Sequence, residues 1–438
     1  MHSYLSVINM SGNFKKLLLL ALLSMGFCLP GNAQQNFVYH YMMSSTEDVK
    51  LAAGPNNSVV MAGTASDKIY CAKFNAKGQE QWAKWIDKEG ILKFGDVAVD
   101  SQGRTAVVFT DGNDMILTKF DNQGNSIFQR PYAVPDSSVQ EIPGNMWSAA
   151  DGGFYIYGVE ETTDNYRSCF MKVNDKGVKQ FYSTYVNDSM AKGGAVRHSA
   201  KGGYLLHGNQ LIKVDSLGRV IWDRKLQTNY KQEAELIVRG NDDLLLLLTT
   251  NTNAKFIVAK IDAGGSLEWV TGKFRYPGAG SIQVGGMTMT PDKGVLLSGR
   301  VNVADFVPRN LPALIKVSPG GEYEFLRYFK DTASPSPLYS GAYAVLRPQG
   351  TEIYYMAGKK SFQSNKTDET IFIKANSLDS ANNCISPLNY LVDPKPQFQV
   401  LPGNGVTAKF KNLAGNIWGL SYEDLSWLPE GVCIDCVS

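Results

Sequence analysis

A hairpin signature that recurs six times without gaps constrains the fold of this chain more than any other feature. Each copy reads Lys-x-Asp/Asn/Ser-x-x-Gly, and an aromatic residue stands nine positions after the lysine. The copies begin at Lys73, Lys119, Lys172, Lys213, Lys260 and Lys316, and a seventh at Lys374 lacks both the glycine and the aromatic. A fixed repeat of this kind predicts an array of similar supersecondary units.

Each position of the signature has a physical reason. The third residue suits the start of a type I turn, where its side chain accepts a backbone N–H. The glycine can take the left-handed conformation that closes such a hairpin with a bulge. The aromatic then stands at a fixed height on the following strand, where it can contact the neighbouring unit. Each copy therefore predicts a strand, a tight turn and a second strand.

A nearly continuous apolar strand precedes every copy, which indicates that both of its faces are covered. These strands lie at 57–63, 103–109, 152–158, 202–208, 243–248, 293–299 and 352–358. Shorter apolar stretches such as 97–99 and 344–346 stand before them, so each unit reads as four strands.

The lysines are spaced 46, 53, 41, 47, 56 and 58 residues apart, close to the roughly 40–50 residues of a four-stranded propeller blade. The sequence therefore predicts an all-β fold, a seven-bladed β-propeller of four-stranded blades over residues 34–379. An open β-solenoid does not suit spacings this long, and a pair of β-sandwiches does not suit a uniform repeat.

The two ends of the repeat predict how the ring closes. Residues 36–42 look like an orphan fourth strand, and the seventh unit stops at its third strand, residues 370–374. We expect the N-terminal strand to complete the seventh blade, because closure removes an exposed sheet edge.

The N-terminus reads as an export signal at residues 1–33. Lys15 and Lys16 precede an apolar run at 17–29, and small residues favour cleavage after Ala33. That run is shorter than the roughly 20 residues of a membrane span, so we expect a secreted, periplasmic or cell-surface protein. Lipid attachment at Cys28 is disfavoured, because Phe27 stands where a small residue is expected.

Residues 380–438 depart from the repeat and predict a small C-terminal β extension, which either packs on the propeller or forms a partly ordered tail. Its Cys433-x-x-Cys436 lacks the βαβ context of a redox motif, so a structural disulfide is favoured. Cys384 is one candidate partner, and the pairing among the three cysteines is left open. Trp418 and Trp427 could form a carbohydrate-stacking platform, but a small local core is the favoured interpretation.

The charge balance excludes polyanion partners. The formal net charge is +2 and falls to zero once Lys15 and Lys16 are removed, whereas nucleic-acid binders carry a strong basic excess. We therefore expect no nucleic acid and no membrane span, and a monomer fits these features. The repeat lysines are interpreted as solvated surface residues.

No catalytic, cofactor-binding or metal-ligating residue is predicted. His198 and His207 could face each other across a hairpin, but a third metal ligand is missing, so ordinary strand histidines are favoured. Ser189-x-x-Lys192 lacks the partner motifs of penicillin-recognising enzymes. Cys71 and Cys169 are expected to be buried small hydrophobes.

The hairpin resembles the repeats of bacterial secreted PQQ-like propellers, which carry Ala, Asp, Gly and Trp around the same turn. Ala72, Gly78 and Trp82 fit that pattern, as does the set at Ala259. The resemblance implies the propeller fold. Quinoprotein dehydrogenases of that group bind PQQ with Ca²⁺ and use a disulfide between adjacent cysteines. This chain has no such pair, so that activity and those cofactors are not implied.

These observations predict a non-enzymatic exported binding or scaffold protein, whose unknown protein or glycan ligand sits at the mouth of the central channel. The loops at 111–114, 160–167, 302–312 and 361–369 are the longest and are expected near that site. The alternative is a glycan-active hydrolase or lyase, with carboxylates from different blades meeting at the channel. A structural module of a larger surface assembly is a third possibility.

Overall fold

Alternation of apolar strands with glycine turns gives a chain that is almost wholly β-structure. The computed structural model describes residues 37–41, 45–65, 68–86, 92–133, 139–162, 166–186, 196–199, 202–207, 209–228, 234–238, 242–249, 256–275, 282–303, 309–329, 337–362, 368–375, 385–388, 391–393, 395, 397–403, 407–410, 422–424 and 430–432. The predicted signal and its cleavage site at Ala33 lie outside these residues.

The strands are numbered along the chain. Strand β1 is Phe37–Tyr41. Blade 1 contains β2 Ser45–Ala53, β3 Val59–Ala65, β4 Lys68–Phe74 and β5 Glu80–Ile86, with a 3-10 turn at Pro55–Asn57. Blade 2 contains β6 Lys93–Val99, β7 Thr105–Thr110, β8 Met115–Phe120 and β9 Ser126–Tyr132. Blade 3 contains β10 Gln140–Ser148, β11 Phe154–Glu161, β12 Tyr166–Val173 and β13 Lys179–Val186.

The remaining blades follow the same order. Blade 4 contains β14 Val196–Ser199, β15 Gly202–His207, β16 Gln210–Asp215 and β17 Val220–Gln227. Blade 5 contains β18 Ala234–Val238, β19 Leu244–Thr249, β20 Phe256–Ile261 and β21 Leu267–Val270, followed by β22 Lys273–Arg275. Blade 6 contains β23 Ile282–Met289, β24 Val295–Val303, β25 Arg309–Val317 and β26 Tyr323–Phe329. Blade 7 contains β27 Pro337–Leu346, β28 Tyr354–Phe362 and β29 Asp368–Ala375.

The blades are antiparallel meanders, and together they confirm the predicted seven-bladed β-propeller. Each of the seven hydrophobic clusters is built from two neighbouring blades, and one of them joins blade 7 to blade 1. In that cluster the rings of Phe74 and Phe372 stack with centroids 4.7 Å apart. The core therefore lies between the blades, which explains why the second strands β3, β7 and β19 are buried along their whole length.

The predicted hairpin turn is confirmed in detail. At the first copy the Gly78 amide donates to the Asn75 carbonyl at 2.8 Å, and Asn75 Oδ1 accepts the amides of Lys77 and Gln79. Gly78 has φ +80°, and the register shifts at Lys73/Phe74, as a bulge requires. The turn glycines of the other five copies have φ between +73° and +87°.

The glycine and the aromatic of the signature meet across the boundary between blades. A Cβ added to Gly177 of blade 3 would lie 2.7 Å from the ring of Phe128 of blade 2. The same close approach occurs at Gly124 beneath Trp82, at Gly218 beneath Phe181 and at Gly321 beneath Trp269. Each of these four aromatics therefore rests on the bare backbone of the next blade's turn, and a side chain there would push the two blades apart.

Alanine at Gly177 should destabilise the protein by about 2–4 kcal/mol, because a positive φ and a clash with a packed ring are added together. Gly350 is a matched control, since it has φ +78° and nothing within 4 Å of an added Cβ. Gly350→Ala should cost about 1–2 kcal/mol from the backbone alone. Denaturant unfolding measures both variants, and equal losses would contradict the contact with Phe128.

The seventh blade receives strand β1 at its outer edge. Strand β1 pairs antiparallel with β29, with Phe37 opposite Lys374 and Tyr41 opposite Thr370. That this strand holds the ring closed stays a prediction.

Deletion of residues 34–41 tests closure, because it removes the partner of β29. We expect the amides of β29 to exchange faster by hydrogen–deuterium exchange, whereas blade 3 keeps its protection. Deletion of 34–36 alone is the control. Unchanged exchange in β29 after the longer deletion would contradict closure by this strand.

The C-terminal segment adds short strands to the outer edges of the blades. We call β30 to β35 the belt: Ile385–Leu388 pairs with β26, Leu391–Asp393 with β22, Gln399–Pro402 with β17, Thr407–Phe410 with β13, Tyr422–Asp424 with β5 and Glu430–Val432 with β1. The belt therefore visits blades 6, 5, 4, 3 and 1 and ends on β1. These strands pack on the propeller, and Phe398 is buried against the cluster of blades 4 and 5. The boundary at residue 380 stays a prediction.

Candidate functional site

Four of the seven repeat lysines are buried, contrary to the prediction from the sequence. Lys73, Lys119, Lys213 and Lys374 are buried, so their interpretation as solvated surface residues was wrong. Lys119 is fully buried, and its ammonium donates to the carbonyls of Gly152 at 3.0 Å and Asp175 at 3.3 Å in blade 3. Lysines of blades 1, 2 and 4 thus tie their blade to the turns of the next one.

Electrostatics around Lys119 follow from its burial. The ammonium lies 3.2 Å from Asp100, which also accepts a 2.6 Å bond from Arg104. Burial lowers the pKa of Lys119, and Asp100 offsets part of that effect. Although burial alone would raise it, hydrogen bonds from Arg104 and Lys119 hold the pKa of Asp100 below its usual value. The group is a paired structural cluster, since every charge has a partner.

Lys119→Met should destabilise the fold by about 3 kcal/mol, because it removes the cation that bridges buried carbonyls and a buried carboxylate. Lys172 occupies the same position of the repeat, but it pairs with Asp151 within its own blade, and that carboxylate is well exposed. Lys172→Met should cost less than about 1 kcal/mol. Thermal unfolding measures the stability of both variants. Similar losses of stability would argue against a role of Lys119 in joining blades 2 and 3.

The inner strands surround the central channel, and several of them contain a β-bulge. The register shifts between Phe94 and Asp96 in β6 and between Val284 and Gly286 in β23. Strands β10 and β27 shift at the corresponding place. The bulge brings the inner backbone close to the second strand, so a Cβ on Gly299 would meet the Gln283 carbonyl at 1.8 Å. A glycine inside the second strand, as at Gly299 in β24 and Gly158 in β11, is therefore required by the bulge beside it.

A cavity of about 350 Å³ lies among these inner strands. Strands from blades 1, 2, 3, 5, 6 and 7 contribute to its wall. Its lining includes Lys50, Asp96, Asn145, Trp147, Met287 and Tyr343. It is thus the place in the described part of the chain where side chains of many blades converge, as ligand sites in proteins do.

Asp96 is the one acidic residue in the described lining of the cavity. It is buried, and its Oδ1 accepts the Val97 amide at 2.8 Å while Oδ2 accepts the Met146 amide of blade 3 at 2.8 Å. The carboxylate therefore joins blades 2 and 3 through backbone amides. A carboxylate whose two oxygens accept backbone amides stabilises the structure of the channel wall.

Lys50 supplies the one cation of the same lining. Its side chain is half-buried, and no hydrogen bond or ion pair engages it within the described residues. A cation that is partly removed from water and has no partner retains its capacity to bind an anionic or carbonyl group.

The apolar part of the wall is built from Trp147 and methionines. Trp147 stacks on Tyr155 at 5.5 Å and on Phe170 at 5.7 Å between ring centroids, so its ring is held rigidly. Met146 and Met287 also line the cavity, and both are buried in the hydrophobic clusters between blades. The apolar part of the wall is thus continuous with the packed core.

Several residues named from the sequence do not come together here. His198 lies opposite Gly203 and His207 opposite Gln210 in the backbone register, so the two histidines do not face each other across the hairpin. Within the described residues no group of three His, Cys, Asp or Glu could hold a metal ion. Cys71 and Cys169 are buried, as predicted, and neither forms a disulfide. Burial raises the pKa of the Cys71 thiol.

Other motifs lie outside the described residues: Ser189, Lys192, Cys384, Trp418, Trp427, Cys433 and Cys436. The four long loops do not line the cavity in the part of the chain that is described. Strands extend into three of them; for example, β24 ends at Val303 and β25 begins at Arg309. That these loops lie near a ligand site stays a prediction.

The cavity residues were not predicted from the sequence, although their position along the strands carried a signal. Asp96 and Tyr343 stand immediately before the short apolar stretches 97–99 and 344–346, which mark the inner strands. That position was the available signal, because the inner strands of a propeller lie beside its channel.

No family model and no curated protein matches this chain. Among solved structures it is similar to Raptor from Chaetomium thermophilum, with a TM-score of 0.51 and 10% identity over 86% of this chain and 33% of that one. This chain therefore spans about a third of that protein. Virginiamycin B lyase from Staphylococcus aureus has a TM-score of 0.48 and 12% identity, over 78% of this chain and 100% of that one. Polysaccharide lyase Uly1 has a TM-score of 0.46 and 10% identity, over 75% and 90%.

At these identities the similarity concerns the fold alone, and nothing is carried over from the named activities. The described residues contain no helix long and apolar enough to cross a membrane. The chain is a seven-bladed β-propeller whose inner strands line a cavity. Among the described residues that cavity holds one cation without a partner and one amide-bound carboxylate.

Proposed function

We propose that this chain is an exported, non-enzymatic binding propeller that holds its ligand in the channel cavity. The observation that carries the proposal is the pairing state of the two charges there. Asp96 is bound by backbone amides of two blades, and Lys50 has no partner within the described residues. A site with a free cation, amide groups and an aromatic wall is suited to binding.

The ligand chemistry follows from the same lining. Lys50 favours a carboxylate, sulfate or other acceptor group, and Asn145 offers amide hydrogen bonds. Trp147 and Met287 favour an apolar face, such as that of a sugar ring or an aliphatic side chain. An acidic glycan or the carboxylate-bearing part of a peptide meets both demands. Export rests on the basic and apolar pattern at residues 15–33.

The alternative of a glycan-active hydrolase or lyase has less support. A hydrolase of this kind uses two carboxyl groups roughly 5–10 Å apart. The described lining holds one carboxylate, and its oxygens accept backbone amides. No feature of the cavity favours the lyase reading over binding.

The test is binding of the mature chain to an array of neutral and acidic glycans and peptides. We expect acidic members to bind, and Lys50→Met to weaken them about tenfold or more, since a charge-assisted contact is lost. Lys77→Met is the control, because that lysine is exposed on a turn. Both variants should keep the unfolding midpoint of the parent.

Two results would count against the proposal. One is an array on which nothing binds, and the other is binding that Lys50→Met and Lys77→Met change equally. Release of altered glycan from any array member would instead favour the enzyme.

A further inference from the structure

The large apolar side chains that are most exposed within the described residues cluster on one arc of the propeller. They are Ile127, Val178, Leu217 and Ile221, exposed by 45%, 47%, 54% and 54%. All lie on the hairpins between the third and fourth strands of blades 2, 3 and 4, which are neighbours. Folded monomers seldom expose apolar groups together without a use for them.

The repeat itself does not demand these residues. The position before the aromatic holds Ile127 and Ile221 in blades 2 and 4, but Gln81, Gln180, Glu268 and Glu324 in blades 1, 3, 5 and 6. Isoleucine at this position is therefore not a requirement of the repeat.

The exposed groups are brought close together by the inter-blade contacts. Val178 follows Gly177, which lies against Phe128, the residue after Ile127. Leu217 precedes Gly218, which lies against Phe181 in the same way. The hairpins of blades 2, 3 and 4 thus adjoin one another.

A groove of about 520 Å³ opens on this arc between blades 3 and 4. Its lining is Lys172, Gln180, Phe181, Ser216, Leu217 and Arg219. Phe181 and Leu217 form its apolar wall, and both charged residues in the lining are cations. Arg219 is 66% exposed while bonded to Asp215 at 2.6 Å, so most of its guanidinium still faces solvent.

The hairpins around the groove also carry a net positive charge. Residues 172–184 carry three lysines and one acid, and residues 213–225 carry four cations and two acids, so each has a formal charge of +2. The equivalent residues 260–272 of blade 5 have −1, from one lysine and two acids. The charge therefore complements an acidic partner at blades 3 and 4 in particular.

We propose that the groove between blades 3 and 4 docks an acidic segment of a partner protein. An apolar side chain of the segment inserts beside Phe181 and Leu217, and flanking carboxylates meet Lys172 and Arg219. This surface is separate from the channel cavity and does not depend on the proposed function. The occupant is a peptide segment because the apolar arc continues beyond the groove onto the hairpin of blade 2, which suits an extended chain.

The test is selection of random displayed peptides on the immobilised chain of residues 34–438. We expect the enriched peptides to combine acidic residues with an aromatic or aliphatic anchor, and to bind more weakly as salt rises. Leu217→Asp should weaken them about tenfold or more. Gln123→Asp is the matched control, because Gln123 occupies the same repeat position in blade 2 and the charge change is equal.

Three outcomes would overturn the proposal: no enrichment, enriched peptides without acidic residues, or equal effects of Leu217→Asp and Gln123→Asp. Lys50→Met separates this site from the channel. Peptides that lose affinity with Lys50→Met and keep it with Leu217→Asp bind in the cavity, which would refute docking here and support the proposed function.

Discussion

The contact between the aromatic of one blade and the turn glycine of the next is the interaction on which the rest of this propeller depends. Gly321 lies so close to the Trp269 ring that a Cβ would come within 2.7 Å of it. The aromatic therefore sets the spacing and angle of two blades at their outer strands, where a wedge-shaped gap would otherwise open. With that spacing set, the second strands can be buried on both faces, and the hydrophobic clusters can fill the space between blades.

Polar groups reinforce the same boundaries. The indole N–H of Trp82 donates to the Asn122 carbonyl of the next blade at 3.1 Å, and Lys119 donates to the turns of blade 3. At the channel end, Asp96 accepts an amide from blade 3. The belt then covers outer edges that would otherwise present unpaired backbone groups. The two recognition sites that we propose lie in the channel and on the face that carries the hairpins, away from these boundaries and edges.

Features that are encoded within one hairpin were predicted correctly from the sequence. Features that depend on contacts with a neighbouring blade were not. The turn at Asn75 and Gly78 and the position of Trp82 follow from a ten-residue pattern, so they were predicted. The burial of Lys119 was missed, because the same repeat position in blade 3 gives the more exposed Lys172. What differs is the set of carbonyls and carboxylates nearby, which no local pattern reports. The belt strands are three or four residues long, too short to show alternation. The cavity residues lie at bulges, where strand periodicity breaks down.

The central claim is that the aromatic and the glycine act as one unit, and a double-mutant cycle on Trp269 and Gly321 measures this directly. In the parent chain Gly321→Ala should cost about 3 kcal/mol, from strain at positive φ and from the clash with the indole. In the Trp269→Leu background the same substitution should cost only about 1–2 kcal/mol, because the strain remains and the clash is gone. Equal costs of Gly321→Ala in the two backgrounds would show that the residues are independent and would contradict this account of the fold.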